Sequence, residues 1–343
     1  MSRRRIAASG LAIAVLAGCG EKGSDNQGQE VTAFADAMST IEVVEPVGTG
    51  VGWVNVEELR AAPGSDREAL EGAATALGPG GDDFLVEARP GLRGLGFDPG
   101  LADQILSLNG SYTFGVRVDG VPARSLASEL GDPARSTGEW DLYDLAGFGT
   151  SPDAPLGEFT SSTGAYVAVS DNSVAFARSD QNRSNLFEVQ SPASQADALA
   201  FAADCLGDVS AARVLPHNFN YLPKLGPKFA ALGVRPLDGE RVEEVMCGIS
   251  ESADEMEKYV SELESRLAPD AVEPTTGAPI GDVIEAVSVD TVERDGYYAA
   301  RAEITLADDE PPGFVFRSFN RGSLVTFFGF QDPTSGVEIS GSP

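Results

Sequence analysis

The chain has 343 residues, 42% of them apolar, with 53 Asp and Glu against 24 Lys and Arg, for a formal charge of −29. That balance repels phosphate backbones and excludes nucleic acid as a partner, while it suits cationic partners or a salty medium. Despite 39 Gly and 21 Pro, the apolar share is enough for one large or two ordinary folded domains, so the chain is not disordered as a whole.

Arg3, Arg4 and Arg5 form a cationic start, and residues 6–17 form an apolar run. About twelve residues cannot cross a ~30 Å hydrocarbon core as a helix, so the run reads as the core of an export signal. It ends in Leu16-Ala17-Gly18-Cys19, which resembles the bacterial lipobox: a branched apolar residue, two small ones, then the cysteine that takes a diacylglyceryl group before cleavage on its N-terminal side. The resemblance implies a signal peptide over residues 1–18, lipid on Cys19, and a protein held on the extracytoplasmic face of the cell membrane without a spanning helix. The rival reading is an ordinary secretory signal in which Cys19 is incidental. Cleavage before Cys19 removes three arginines and no acid, leaving a formal charge of −32. Residues 20–31 are polar, Gly-rich and without periodicity, and with the rest of the stretch 19–49 they read as a tether. Taken as a random coil, the twelve residues 20–31 set the body roughly 20 Å from the bilayer.

A short helix is expected over residues 32–38, with Phe34 and Met38 on one face. Two α+β bodies, of helices and mostly antiparallel strands, are expected to follow, at 50–190 and 191–343. In the first, residues 51–56 alternate as a strand. Asp66 caps a helix with Leu70, Ala73, Ala74 and Leu77 on one face, stopped by Gly78. Residues 84–88 read as a strand. Asp98-Pro99 reads as an N-cap with Pro at the first helical position, opening a helix over 100–106 whose face is Leu101, Ile105 and Leu108. Strands are expected at 111–118, 140–143, 166–169 and 173–177, a helix at 123–130, and a long loop at 146–163.

In the second body a helix at 193–206 carries Cys205, a strand runs over 209–215, and residues 240–249 carry Cys247. A helix at 252–267 presents Met256, Tyr259, Val260, Leu263 and Leu267 on one face. Asp295-Gly296 between two alternating runs, 284–292 and 297–306, signals a hairpin. The aromatic stretch 314–330 reads as a helical turn and a strand at 324–328. Leu95-Gly-Phe-Asp-Pro99 and Leu232-Gly-Val-Arg-Pro236 echo one another and raise an internal repeat.

With Cys19 lipidated, Cys205 and Cys247 remain as an even pair in an oxidising compartment and are expected to form a disulfide. The single histidine, His217, lies in an irregular loop with Phe219, Tyr221 and Lys224, a candidate ligand-binding group whose alternative is core packing. Arg317 and Arg321, four residues apart, could hold an anion or pair with carboxylates. The acidic runs Asp82-Asp83, Glu243-Glu244 and Asp308-Asp309-Glu310 are expected at solvated turns or helix ends. No serine elbow, zinc-protease motif, calcium loop or dinucleotide fingerprint occurs. No catalytic residue, metal ligand or cofactor is therefore assigned. The body resembles in composition the lipoproteins of high-GC bacteria, a likeness that implies no activity. The expected role is a non-enzymatic binding or envelope-interaction module, with an envelope protein or small ligand as partner. The alternatives are a transporter's solute-binding lipoprotein and a carboxylate-based hydrolase.

Overall fold

The computed structural model describes residues 31–43, 49–61, 72–78, 89–110, 114–145, 166–215, 227, 229–236, 242–273, 277–308 and 310–320. The lipobox, the loop with His217, Phe219, Tyr221 and Lys224, Arg321, Asp66, Leu70 and the strands expected at 84–88 and 324–328 lie outside them. From Thr32 onward the chain forms one compact unit.

The central strand is β1 (Thr49–Asn55), in which Val51 and Trp53 face one side of the sheet and Val54 the other, all buried. It pairs antiparallel with β2 (Gln104–Gly110) on one edge and β8 (Ala211–Leu215) on the other. Beyond β2 come β3 (Phe114–Asp119), β7 (Ser173–Ala177), β6 (Tyr166–Val169), β5 (Trp140–Asp144) and β4 (Arg135–Thr137). Beyond β8 come β9 (Phe229–Pro236), β10 (Val242–Ser250), β12 (Tyr297–Leu306) and β11 (Ile284–Arg294). Among the described residues both expected bodies thus contribute to one antiparallel sheet of twelve strands, joined where β1 meets β8. The helix and antiparallel-sheet content agrees with the α+β expectation.

Helices cover both faces. On the first face lie α2 (Val56–Ala61), α3 (Arg89–Gly94), α4 (Arg124–Leu130), α7 (Ala253–Arg266) and α8 (Phe314–Asn320). On the second lie α1 (Ala33–Met38) and α6 (Asp197–Leu206), with Leu186 just past α5 (Asp180–Ser184). The amphipathic pattern of α7 explains its seat: Met256, Tyr259 and Leu263 recur at three and four residues and are buried, and the Ser252 hydroxyl caps its first turn by accepting from the Glu255 amide. In the same way the Thr32 hydroxyl accepts from the Ala35 amide to start α1, whose Phe34 and Met38 are fully buried.

The helix expected over 100–106 is corrected. Asp98 does act as N-cap, accepting from Gly100 N, but one 3-10 turn (Pro99–Leu101) ends at Ala102 and residues 104–110 form β2. A strand covered on both faces is apolar at odd and even positions alike, so Ile105 and Leu108 mimicked a helical stripe while pointing to opposite faces. The strands β4 and β9 and the helix α2 were not anticipated. The hairpin β11–β12 turns on Asp295 and Gly296 at φ 53° and 85°, the positive pair that a two-residue turn of matching twist requires.

The strand order repeats itself. A meander β1–β2–β3 is followed by α4, then by the hairpin β4–β5, which has no counterpart among the described residues of the second half, and returns through β6–β7 with β7 beside β3. A meander β8–β9–β10 is followed by α7 and returns through β11–β12 with β12 beside β10. α1 precedes β1 and α6 precedes β8, both on the second face, while α4 and α7 share the first. The echo of residues 95–99 in 232–236 does not follow this correspondence: the first lies ahead of β2, the second inside β9.

Candidate functional site

Three buried arginines clamp connecting segments to the sheet. Arg117, on the second face of β3, spends all five N–H groups: Nε and Nη2 donate to Asp119 (3.0 and 2.8 Å), Nη1 to the carbonyls of Thr40 and Leu186 (2.7 Å each), and Nη2 also to Thr40 Oγ1 (2.6 Å). Asp119 also accepts from Gln104, whose own Oε1 accepts from the indole of buried Trp53 at 2.9 Å. Arg183 of α5 donates to the carbonyls of Tyr143 and Val167 (2.9 and 3.0 Å) and pairs with Asp180. Arg213 of β8 lies fully buried on the first face and donates to the Thr75 carbonyl at 3.4 Å.

Around Arg213 the sheet admits a turn of main chain. Gly52, its neighbour on β1, has no side chain; a Cβ there would stand 2.5 Å from the Ala76 carbonyl. The 3-10 turn Thr75–Leu77 occupies that space, and its Leu77 carbonyl accepts from Ser107 Oγ (2.7 Å) and Asn109 Nδ2 (2.6 Å). Ser107, Asn109 and Arg213 each thus donate to a main-chain carbonyl of this turn, the kind of pairing that offsets the burial of a polar side chain.

Glu244 on β10 is the main correction to the expected solvated doublets. It is 0% exposed and accepts three amides at the start of α8: Gly313 and Phe314 on one oxygen (2.6 and 2.8 Å), Val315 on the other (2.6 Å). A carboxylate from another element thus caps the helix, satisfying donors that the first turn cannot. Burial pushes its carboxyl up to about 7, against the opposing pull of the three amides and of Arg317. That value would suit a general acid or base, yet both oxygens are committed to main chain beneath a helix. A buried acid raised in this way stabilises the fold most below about pH 4.5 and loses that contribution as pH rises through about 7. Relative to Glu244→Gln, wild-type stability is therefore expected to fall by roughly 3 kcal/mol between those limits. Chemical denaturation of both proteins across that range checks it, and a difference independent of pH would show that Glu244 does not titrate there.

Asp98 goes the other way. Burial opposes ionisation, but hydrogen bonds from Arg89 and the Gly100 amide, with the charges of Arg89 and Arg93, hold its carboxyl below the usual range.

Of the residues expected to bind, Arg317 is engaged: it pairs with Glu310 and donates to the carbonyls of Pro311 and Pro312, closing the bend ahead of α8. This is the carboxylate pairing weighed against an anion site. Cys205 of α6 and Cys247 of β10 form the expected disulfide, with both residues fully buried in the second-face core. Among the described residues, no group of three or more His, Cys, Asp or Glu side chains converges as metal ligands, and no helix is long and apolar enough to cross a membrane.

The two ends of the sheet differ. β4 is three residues long, while β11 runs for eleven and, among the described residues, pairs only with β12. Along β11, Glu285, Ser288, Asp290, Thr291 and Glu293 are exposed, whereas Val287, Val289 and Val292 are half-buried against the two core layers. Neither end carried a signal beyond alternation and the Asp-Gly turn, because being at an edge depends on which strands pair elsewhere. No known protein family, no curated protein and no solved structure matches this chain.

Proposed function

We propose that this chain is a lipid-anchored extracytoplasmic binding module that works through its surface and performs no covalent chemistry. The address rests on the lipobox at Cys19 and agrees with a buried cystine in the body, which persists in oxidising compartments. The mode of action rests on one observation: the sheet runs unbroken through the boundary between the halves. A solute-binding clamshell needs a hinge there, but Val51, Gly52, Trp53 and Val54 of β1 pair with Val214, Arg213, Ala212 and Ala211 of β8. Opening such a hinge would break the ladder at the centre of both core layers. We read the halves as diverged copies of one strand plan, fused edge to edge rather than facing each other across a cleft.

The test is made in a bacterial host with lipoprotein processing. Wild type is expected to partition with membranes and Cys19→Ser to appear in the soluble extracytoplasmic fraction, while crosslinking in intact cells joins the anchored protein to a discrete envelope partner. A wild type that stays soluble would overturn the address, and an anchored protein that crosslinks to nothing would overturn the binding role.

A further inference from the structure

We propose that the β11 edge is a docking site for an extended cationic segment of a partner protein, which adds to the sheet as a further strand. This inference rests on the reading of the protein as a binding module and names the surface and the chemistry of its partner. Among the described residues β11 is an edge strand with β12 as its one neighbour, and such a strand directs alternate N–H and C=O groups outward as a template for another chain. Proteins usually blunt such edges by shortening them, as at the three-residue β4. β11 keeps eleven residues, about 37 Å of strand, with a register irregularity only at its start, between Ile284 and Ala286.

The side chains of β11 say which chain fits. Val287, Val289 and Val292 are already half-buried against the cores, so an added strand completes their burial. Beside them Asp290 and Glu293 are exposed acids, while the cation Arg294 is paired with Asp204 and Asp295. Opposite charges across a ladder attract and like charges repel, so the same acids that guard the edge admit a strand bearing Lys or Arg. A second copy of this chain fits badly. Self-pairing brings the Asp290 and Glu293 edge of one copy to the same acids of the other, and each copy carries a formal charge of −29 before processing.

The mature lipidated protein in detergent is titrated with three synthetic peptides of equal length: one alternating Lys and Val, one alternating Glu and Val, and a Lys/Val peptide interrupted by prolines. Site-resolved hydrogen exchange is the readout. The alternating cationic peptide is expected to protect β11 amides, with the proline-broken and anionic peptides at least about tenfold weaker. Reversing two exposed charges, Asp290→Lys with Glu293→Lys, is expected to invert the preference between the charged peptides without altering protection elsewhere in the sheet. Equal protection by the proline-broken peptide would overturn strand addition in favour of diffuse charge attraction. Unchanged preference in the reversed variant, protection away from β11, or no protection at all would overturn the site. Any of these with the cellular crosslink intact leaves the binding role standing and removes only the edge.

Discussion

Arg117→Leu is expected to destabilise the protein by about 3–5 kcal/mol, the range for removing one partner of a buried ion pair. The substitution keeps roughly the volume of the stem but strips five hydrogen bonds at once. It leaves Asp119 without its cation and the carbonyls of Thr40 and Leu186 without donors in a buried setting. Those carbonyls belong to the segments following α1 and α5, so both should loosen from the second face together. Arg117→Lys restores the charge but not the fork, and is expected to recover only part of the loss. Urea unfolding of the three proteins decides it, because a drop in midpoint at constant slope reports stability alone. A cost below about 1 kcal/mol would mean that water or neighbouring groups replace the clamp. Against total stabilities of about 5–15 kcal/mol for folded proteins, the expected cost is large.

Opening the disulfide is expected to cost about 4 kcal/mol, the chain-entropy estimate for a closed loop of this length. Cys205 and Cys247 stand 42 residues apart in sequence, and the loop between them contains β8 and β9. Free thiols or alanines at these sites remain compatible with an apolar core, so the native state changes little and the effect arises mainly in the unfolded chain. The signature is specific: Cys205→Ala with Cys247→Ala should lower the denaturation midpoint and steepen the slope, since the unlinked chain exposes more surface. Oxidised and cysteine-free proteins that unfold at the same midpoint would show that the link constrains nothing.

The fold was legible in the sequence wherever one face of an element meets water. The hairpin β11–β12 and helix α7 announced themselves by clean alternation, an Asp-Gly turn and a capped amphipathic stripe. Legibility failed in the middle of the sheet. β2 is buried on both faces, and β9, with Gly233 tucked against Val209 and Leu206, shows no alternation to read. Site chemistry was legible only where pairing is forced by arithmetic, as for the two cysteines, or by local reach, as for Arg317 and Glu310. Glu244 could not be found this way: its partners are amides some seventy positions downstream, and in sequence it is one acid among 53.

The junction of β1 and β8 also fixes an order of events. Val51 and Val214 are paired yet about 160 residues apart, whereas β1–β2–β3 and β8–β9–β10 close through far shorter loops. During synthesis, β1 emerges long before its second partner exists. Each half can therefore assemble its own meander first, leaving β1 and β8 as facing open edges that join last, and this late closure is the step at which two nascent chains could exchange halves.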